Sequence, residues 1–135
     1  MSQENVETLR AVYGDWERGD FTASLPLFDE NVTLAIDSGI PDAGTYMGPD
    51  GVLKYMSRFL APWESLTIAG ESFRDTGDTA LVKVKQNGIG RSSGAPVELR
   101  YFQLWTFGGG RVVRLEVIMN EQTALEAVGC RSRRS

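Results

Sequence analysis

The stretch Pro96-Val97-Glu98-Leu99-Arg100-Tyr101-Phe102-Gln103-Leu104-Trp105-Thr106-Phe107-Gly108-Gly109-Gly110-Arg111-Val112-Val113-Arg114-Leu115-Glu116-Val117-Ile118-Met119-Asn120 decides the fold. β-Branched and aromatic residues fill both halves, and three consecutive glycines supply the backbone freedom of a tight turn, so it reads as a long β-hairpin. The glycines precede a strand rather than a helix, which makes them a turn and not a phosphate-binding loop. Ahead of this hairpin the front half of the chain reads largely as helix. That order predicts one curved sheet covered by helices on a single face, an arrangement able to enclose a small-molecule cavity.

Working outward, Thr79 to Gln86 alternates Ala80, Val82 and Val84 with Leu81, Lys83 and Lys85, predicting a strand whose lysines face solvent or a partner. The turn Asp75-Thr76-Gly77-Asp78 joins it to an irregular strand over Ser65 to Arg74, and a glycine-rich loop from Gly88 to Ala95 joins it to the hairpin. Gly48-Pro49-Asp50 starts a helix that buries Val52, Met56, Phe59 and Leu60 and ends before Pro62. Val32, Leu34 and Ile36 alternate with Thr33, Ala35 and Asp37 as a half-buried strand, followed by a loop from Ser38 to Thr45. At the front, Ser2 caps a helix burying Val6, Leu9, Tyr13 and Trp16; a second short helix carries Phe21, Leu25 and Phe28 and is shortened by Pro26. Behind the hairpin, Asn120 caps a last helix with Ala124, Leu125 and Val128, closed by Gly129. The expectation is a single α+β domain over residues 1–129 with a mostly antiparallel sheet, and a short basic disordered tail over 130–135.

Composition bounds the function. A chain of 135 residues with 41% hydrophobic and 24% charged residues is an ordinary globular domain, with no apolar run long enough to span a bilayer. The opening Met1-Ser2-Gln3-Glu4-Asn5 lacks the basic flank and apolar stretch of a secretory signal, so the cytoplasm is expected. A net charge of −4 argues against nucleic acid, which needs a clustered basic face; Arg131, Arg133 and Arg134 are too few to supply one. Cys130 has no cysteine to pair with. There is no histidine, which removes Ser-His and Cys-His mechanisms and most zinc or iron sites. No metal and no cofactor are expected. On the sheet face away from the helices, Lys83, Lys85, Arg100, Arg114 and Glu116 mingle with Phe102 and Leu104, a mixture apolar enough to predict a homodimer through that face.

Leu9-Arg10-Ala11-Val12-Tyr13 with Trp16, Gly19-Asp20-Phe21, Leu27-Phe28-Asp29, Gly44-Thr45-Tyr46-Met47-Gly48, Gly51-Val52, Leu104-Trp105-Thr106-Phe107 and Val112-Val113-Arg114-Leu115 together resemble the SnoaL-like branch of the nuclear transport factor two superfamily. The resemblance covers nearly the whole chain. It implies a conical α+β barrel with a mostly apolar pocket, as in polyketide cyclases and ketosteroid isomerases, and fold alone does not select among these activities.

The resemblance also directs attention to particular residues. It implies that Tyr101, Gln103 and Trp105 face the pocket, and at the position of Gln103 many SnoaL-like proteins have histidine and the isomerases an acid. An amide donates through its NH₂ but exchanges no proton at neutral pH, so Gln103 suits ligand orientation or oxyanion stabilisation; the plain alternative is a core glutamine bonded to a neighbouring tyrosine or backbone group. Asp37 stands near the isomerases' general base, although Ile36 occupies the matching position and an ideal strand would point Asp37 the other way. Tyr13 is expected to be mainly a core aromatic whose hydroxyl approaches the pocket, and Tyr46 to line its mouth. The expected pocket wall adds Trp16, Phe28, Ile36, Met47, Met56, Phe59, Leu115, Val117 and Met119. The leading expectation is a pocket for a small hydrophobic or aromatic molecule. The alternatives are a cyclase or isomerase using Asp37 as base with Gln103 and a tyrosine as oxyanion donors, and a dimeric scaffold with a filled core.

Overall fold

The computed structural model describes residues 2–132, with side chains from residue 4 to residue 130. The chain runs α1 (Ser2–Glu17), a 3-10 turn (Leu25–Leu27), β1 (Phe28–Ile36), β2 (Gly44–Met47), α2 (Gly48–Leu60), β3 (Trp63–Asp75), β4 (Thr79–Gly90), β5 (Pro96–Gly108), β6 (Arg111–Ile118) and α3 (Glu121–Ser132). The strands form one six-stranded sheet in the order β2-β1-β6-β5-β4-β3. Only β1 and β6 pair in parallel; every other pairing is antiparallel. The sheet is curved and unclosed, an α+β architecture in keeping with the sequence.

The long hairpin sets the frame. Leu104 pairs with Glu116 and Trp105 with Leu115, and Gly109 and Gly110 turn the chain at φ of 61° and 80°, a backbone region that costs glycine little. Strand alternation then sorts the side chains. Tyr101, Gln103, Trp105 and Phe107 join Ala80, Val82 and Val84 on the concave face, while Leu81, Phe102 and Leu104 point the other way. On the concave side α1 lays Leu9, Val12, Tyr13 and Trp16 against β3 and β4, and α2 packs Val52 and Tyr55 over β1 and β2.

Five local expectations are corrected. The second helix shrinks to a 3-10 turn around Pro26, because Phe28 is already extended and begins β1. Gly44–Met47, expected to lie mostly in a loop, is a strand created by pairing with Thr33–Ile36; four residues have no periodicity of their own to reveal it. β4 continues past Gln86 to Gly90, held on both sides by β3 and β5 despite two glycines. α3 passes through Gly129 to Ser132; Arg133 and Arg134 of the expected tail, like the side chain of Ser2, lie outside the described residues.

The fifth correction concerns the outer face. α3 lies there, placing Ala124 against Leu81, Phe102, Leu104 and Ile118. Helices therefore cover both faces, and the apolar residues that prompted the expectation of a homodimer are covered within the chain. Asn120 caps α3 as its sequence predicts, its Oδ1 accepting the Thr123 N–H at 3.1 Å. No helix among the described residues is long and apolar enough to cross a membrane.

Candidate functional site: an apolar cavity with oriented amides

Between the concave sheet face and α1 and α2 lies a cavity of about 540 Å³, within the range typical of small-molecule sites. Its wall is mostly aromatic and aliphatic, drawing Trp16 from α1, Phe28 and Leu34 from β1, Tyr55, Met56 and Phe59 from α2, Trp63 and Ile68 from β3, and Leu115 and Val117 from β6. Aromatic contacts fix the floor. Phe28 stacks on Trp105 at 6.1 Å and Trp16 tilts against it at 5.9 Å, so the fully buried Trp105 sits just behind the lining.

One hydrogen-bonded chain crosses this floor. The Trp105 indole N–H donates to the Tyr13 hydroxyl at 2.9 Å, and Tyr13 in turn donates to Oε1 of Gln103. The direction follows from chemistry. An indole can only donate, so the Tyr13 hydroxyl accepts from Trp105, and its own proton goes to the Gln103 amide oxygen. The Gln103 NH₂ is left without a bond to any described residue, on a side chain that lines the cavity. A second pair repeats the pattern, with the Tyr101 hydroxyl donating to Oε1 of Gln86 at 2.7 Å.

These tyrosines are donors and not bases. Burial pushes Tyr13 and Tyr101 well above the ordinary phenol range, the Trp105 hydrogen bond opposing this only partly at Tyr13, and burial pushes Tyr55 up to about 12. The only carboxylate and the only cation in the lining are Asp42 and Arg58, both exposed. No group of three or more histidine, cysteine, aspartate or glutamate residues suited to a metal exists among the described residues. Two polar atoms of lining residues, Trp16 Nε1 and Ser24 Oγ, are sealed from solvent with no partner among the described residues. Each such group carries a desolvation cost of about 1–3 kcal/mol.

The structure brings together Trp16, Phe28, Met56, Phe59, Tyr101, Gln103, Leu115, Val117 and Met119 of the expected wall. Others fall elsewhere. Tyr13 and Trp105 stand behind Gln103 in the hydrogen-bonded floor, and Ile36 is buried in the core without reaching the lining. Tyr46 donates to the Asp42 carbonyl at 2.7 Å and packs on Tyr55, while Met47 is 62% exposed. Asp37 is also outside the lining: Oδ1 accepts the Ser38 N–H at 2.8 Å and Oδ2 faces the Met119 N–H at 3.5 Å. No bulge turns it inward at this end of the strand, since Ile36 keeps its register with Val117.

Sequence reasoning missed Gln86 and Tyr55. Gln86 continues the two-residue alternation of Ala80, Val82 and Val84 onto the concave face, and Tyr55 follows Val52 by three on the buried side of α2, so both periods pointed to them.

Fold and site together define a small α+β protein built around an internal apolar cavity. The chain belongs to the SnoaL-like domain family, whose family model matches residues 9–115. Among solved structures it is similar to TerC co-crystallised with polyporic acid, at 20% identity over 93% of this chain and 98% of that one, with a TM-score of 0.75. A nuclear transport factor two-like protein of unknown function from Burkholderia pseudomallei matches at 21% identity over 93% and 95%, with a TM-score of 0.76. A protein of ketosteroid isomerase-like fold from Catenulispora acidiphila, in complex with trimethylamine, matches at 16% identity over 91% and 92%, with a TM-score of 0.72. These likenesses show a shared fold. Comparison with curated proteins gives no match.

Proposed function

We propose that this protein binds a small hydrophobic or aromatic molecule in the cavity, with the Gln103 amide directing a hydrogen-bond acceptor of that molecule. The observation that carries the reading is an apolar space of about 540 Å³ into which a buried glutamine presents an N–H₂ group held in place by Tyr13 and Trp105. Apolar walls supply affinity and the fixed amide supplies orientation, at little cost in ordering. A filled-core scaffold would leave no such space.

Thermal shift against a panel of apolar carbonyl compounds and polyketide-like aromatics tests the reading, and polyporic acid, the molecule co-crystallised with TerC, belongs in that panel. A ligand present at a hundred times its Kd stabilises by about 2.7 kcal/mol, or roughly 10 °C for a domain of this size. A panel without any shift refutes the proposal.

A further inference from the structure

Gln86 has no place in the reading above, yet it is built like Gln103. It is 2% exposed, it lines the cavity, and its Oε1 is taken by the Tyr101 hydroxyl at 2.7 Å. A phenol has one proton to give, and the glutamine oxygen receives it; the Gln86 amide nitrogen makes no bond to any described residue. The wall thus carries two amide donors, each locked by a tyrosine behind or beside it.

Their spacing follows from the ladder. Gln86 pairs with Leu99 on β5, and Gln103 lies four residues further along that strand, so the two side chains start from backbone positions about 13 Å apart along the strand and enter the same cavity. The cavity that both side chains border, about 540 Å³, is of a size that holds a small molecule. Charge narrows the occupant further. The interior offers no cation, and Arg58, the cation of the lining, is exposed at the rim; an anionic group held deep in the cavity would go uncompensated.

We propose that Gln86 and Gln103 form a two-point clamp selecting an uncharged ligand with two carbonyl-type oxygens placed to meet both amides. This rests on the reading of the cavity as a ligand site and adds the chemistry of its occupant.

The test uses three matched naphthalenes, carrying acetyl groups at both far ends, an acetyl group at one end with ethyl at the other, or ethyl groups at both, with affinities measured by calorimetry. The diketone is expected to bind roughly 3- to 10-fold tighter than the monoketone, the gain of one further neutral hydrogen bond. A Gln86→Leu, Tyr101→Phe double variant removes the second donor without stranding the tyrosine hydroxyl. In it the diketone's advantage over the monoketone disappears, whatever the change in the affinity common to all three compounds. Equal binding of diketone and monoketone to the wild-type protein overturns the clamp and leaves the ligand site standing, whereas binding of none of the three overturns both. If the double variant fails to fold, the ranking of the three compounds on the wild-type protein still decides.

Discussion

Replacing Tyr13 with phenylalanine removes one oxygen and breaks two hydrogen bonds, because that hydroxyl accepts from Trp105 and donates to Gln103. The two losses are unequal. Trp105 is 0% exposed, so its stranded indole N–H has no route to water and carries the full desolvation cost of about 1–3 kcal/mol. Gln103 borders the cavity and its amide is free to rotate, which holds its share to about 1 kcal/mol. Tyr13→Phe is therefore expected to destabilise by about 2–4 kcal/mol, or roughly 7–14 °C in Tm for 135 residues. Urea unfolding followed by tryptophan fluorescence measures it: the midpoint should fall while the slope m stays constant, since the surface exposed on unfolding is unchanged. Adding Gln103→Met should cost less in the Tyr13→Phe background than in the wild type, because the two residues share one bond. A loss below about 0.5 kcal/mol, or strict additivity of the two changes, refutes the oriented-amide argument.

Ser24→Ala removes a sealed hydroxyl without a partner and should stabilise the protein by about 1 kcal/mol in the same assay. At Gly88 an added methyl would lie 2.6 Å from the Trp63 ring and 2.9 Å from the Ser65 carbonyl oxygen, so Gly88→Ala should cost about 1–3 kcal/mol and shift Trp63 in the cavity wall. Because burial raises Tyr13, Tyr55 and Tyr101, the unfolded chain loses these protons first; stability should be insensitive to them up to about pH 10 and then fall by ~1.4 kcal/mol per pH unit for each tyrosine until its native value is reached. Most of the phenolate absorbance, that of these three among the four tyrosines, should rise together with the loss of the folded circular-dichroism signal, and its full appearance while that signal is intact would contradict this. Asp37→Asn should leave ligand affinity within twofold of the wild type, as calorimetry can check; a large loss would place that carboxylate in the site after all.

Periodicity alone determined much of this molecule. A period of two over Val32, Leu34 and Ile36 and over Tyr101, Gln103 and Trp105, and a helical period over Leu9, Tyr13 and Trp16, name residues that are all buried on the concave side. Burial of an apolar stripe is a local property of sequence, so the sheet and its helices were legible, whereas the inward turn of Gln103 was implied by the resemblance to SnoaL-like proteins. Pairing between distant segments was not. β2 exists only because β1 offers it an edge, and α3 crosses to the outer face because Leu81, Phe102, Leu104 and Ile118 need a cover there. The site divides in the same way. The sequence could propose Asp37 beside Ile36, but only the register of β1 against β6 shows that the carboxylate misses the cavity. It could mark Gln103 as polar among aromatics, but the direction of its amide depends on Trp105 and Tyr13 meeting across some ninety residues of chain. A one-residue step reverses a strand's faces and a single proton orients an amide; such choices are settled by contacts between residues far apart in sequence, which no local pattern encodes.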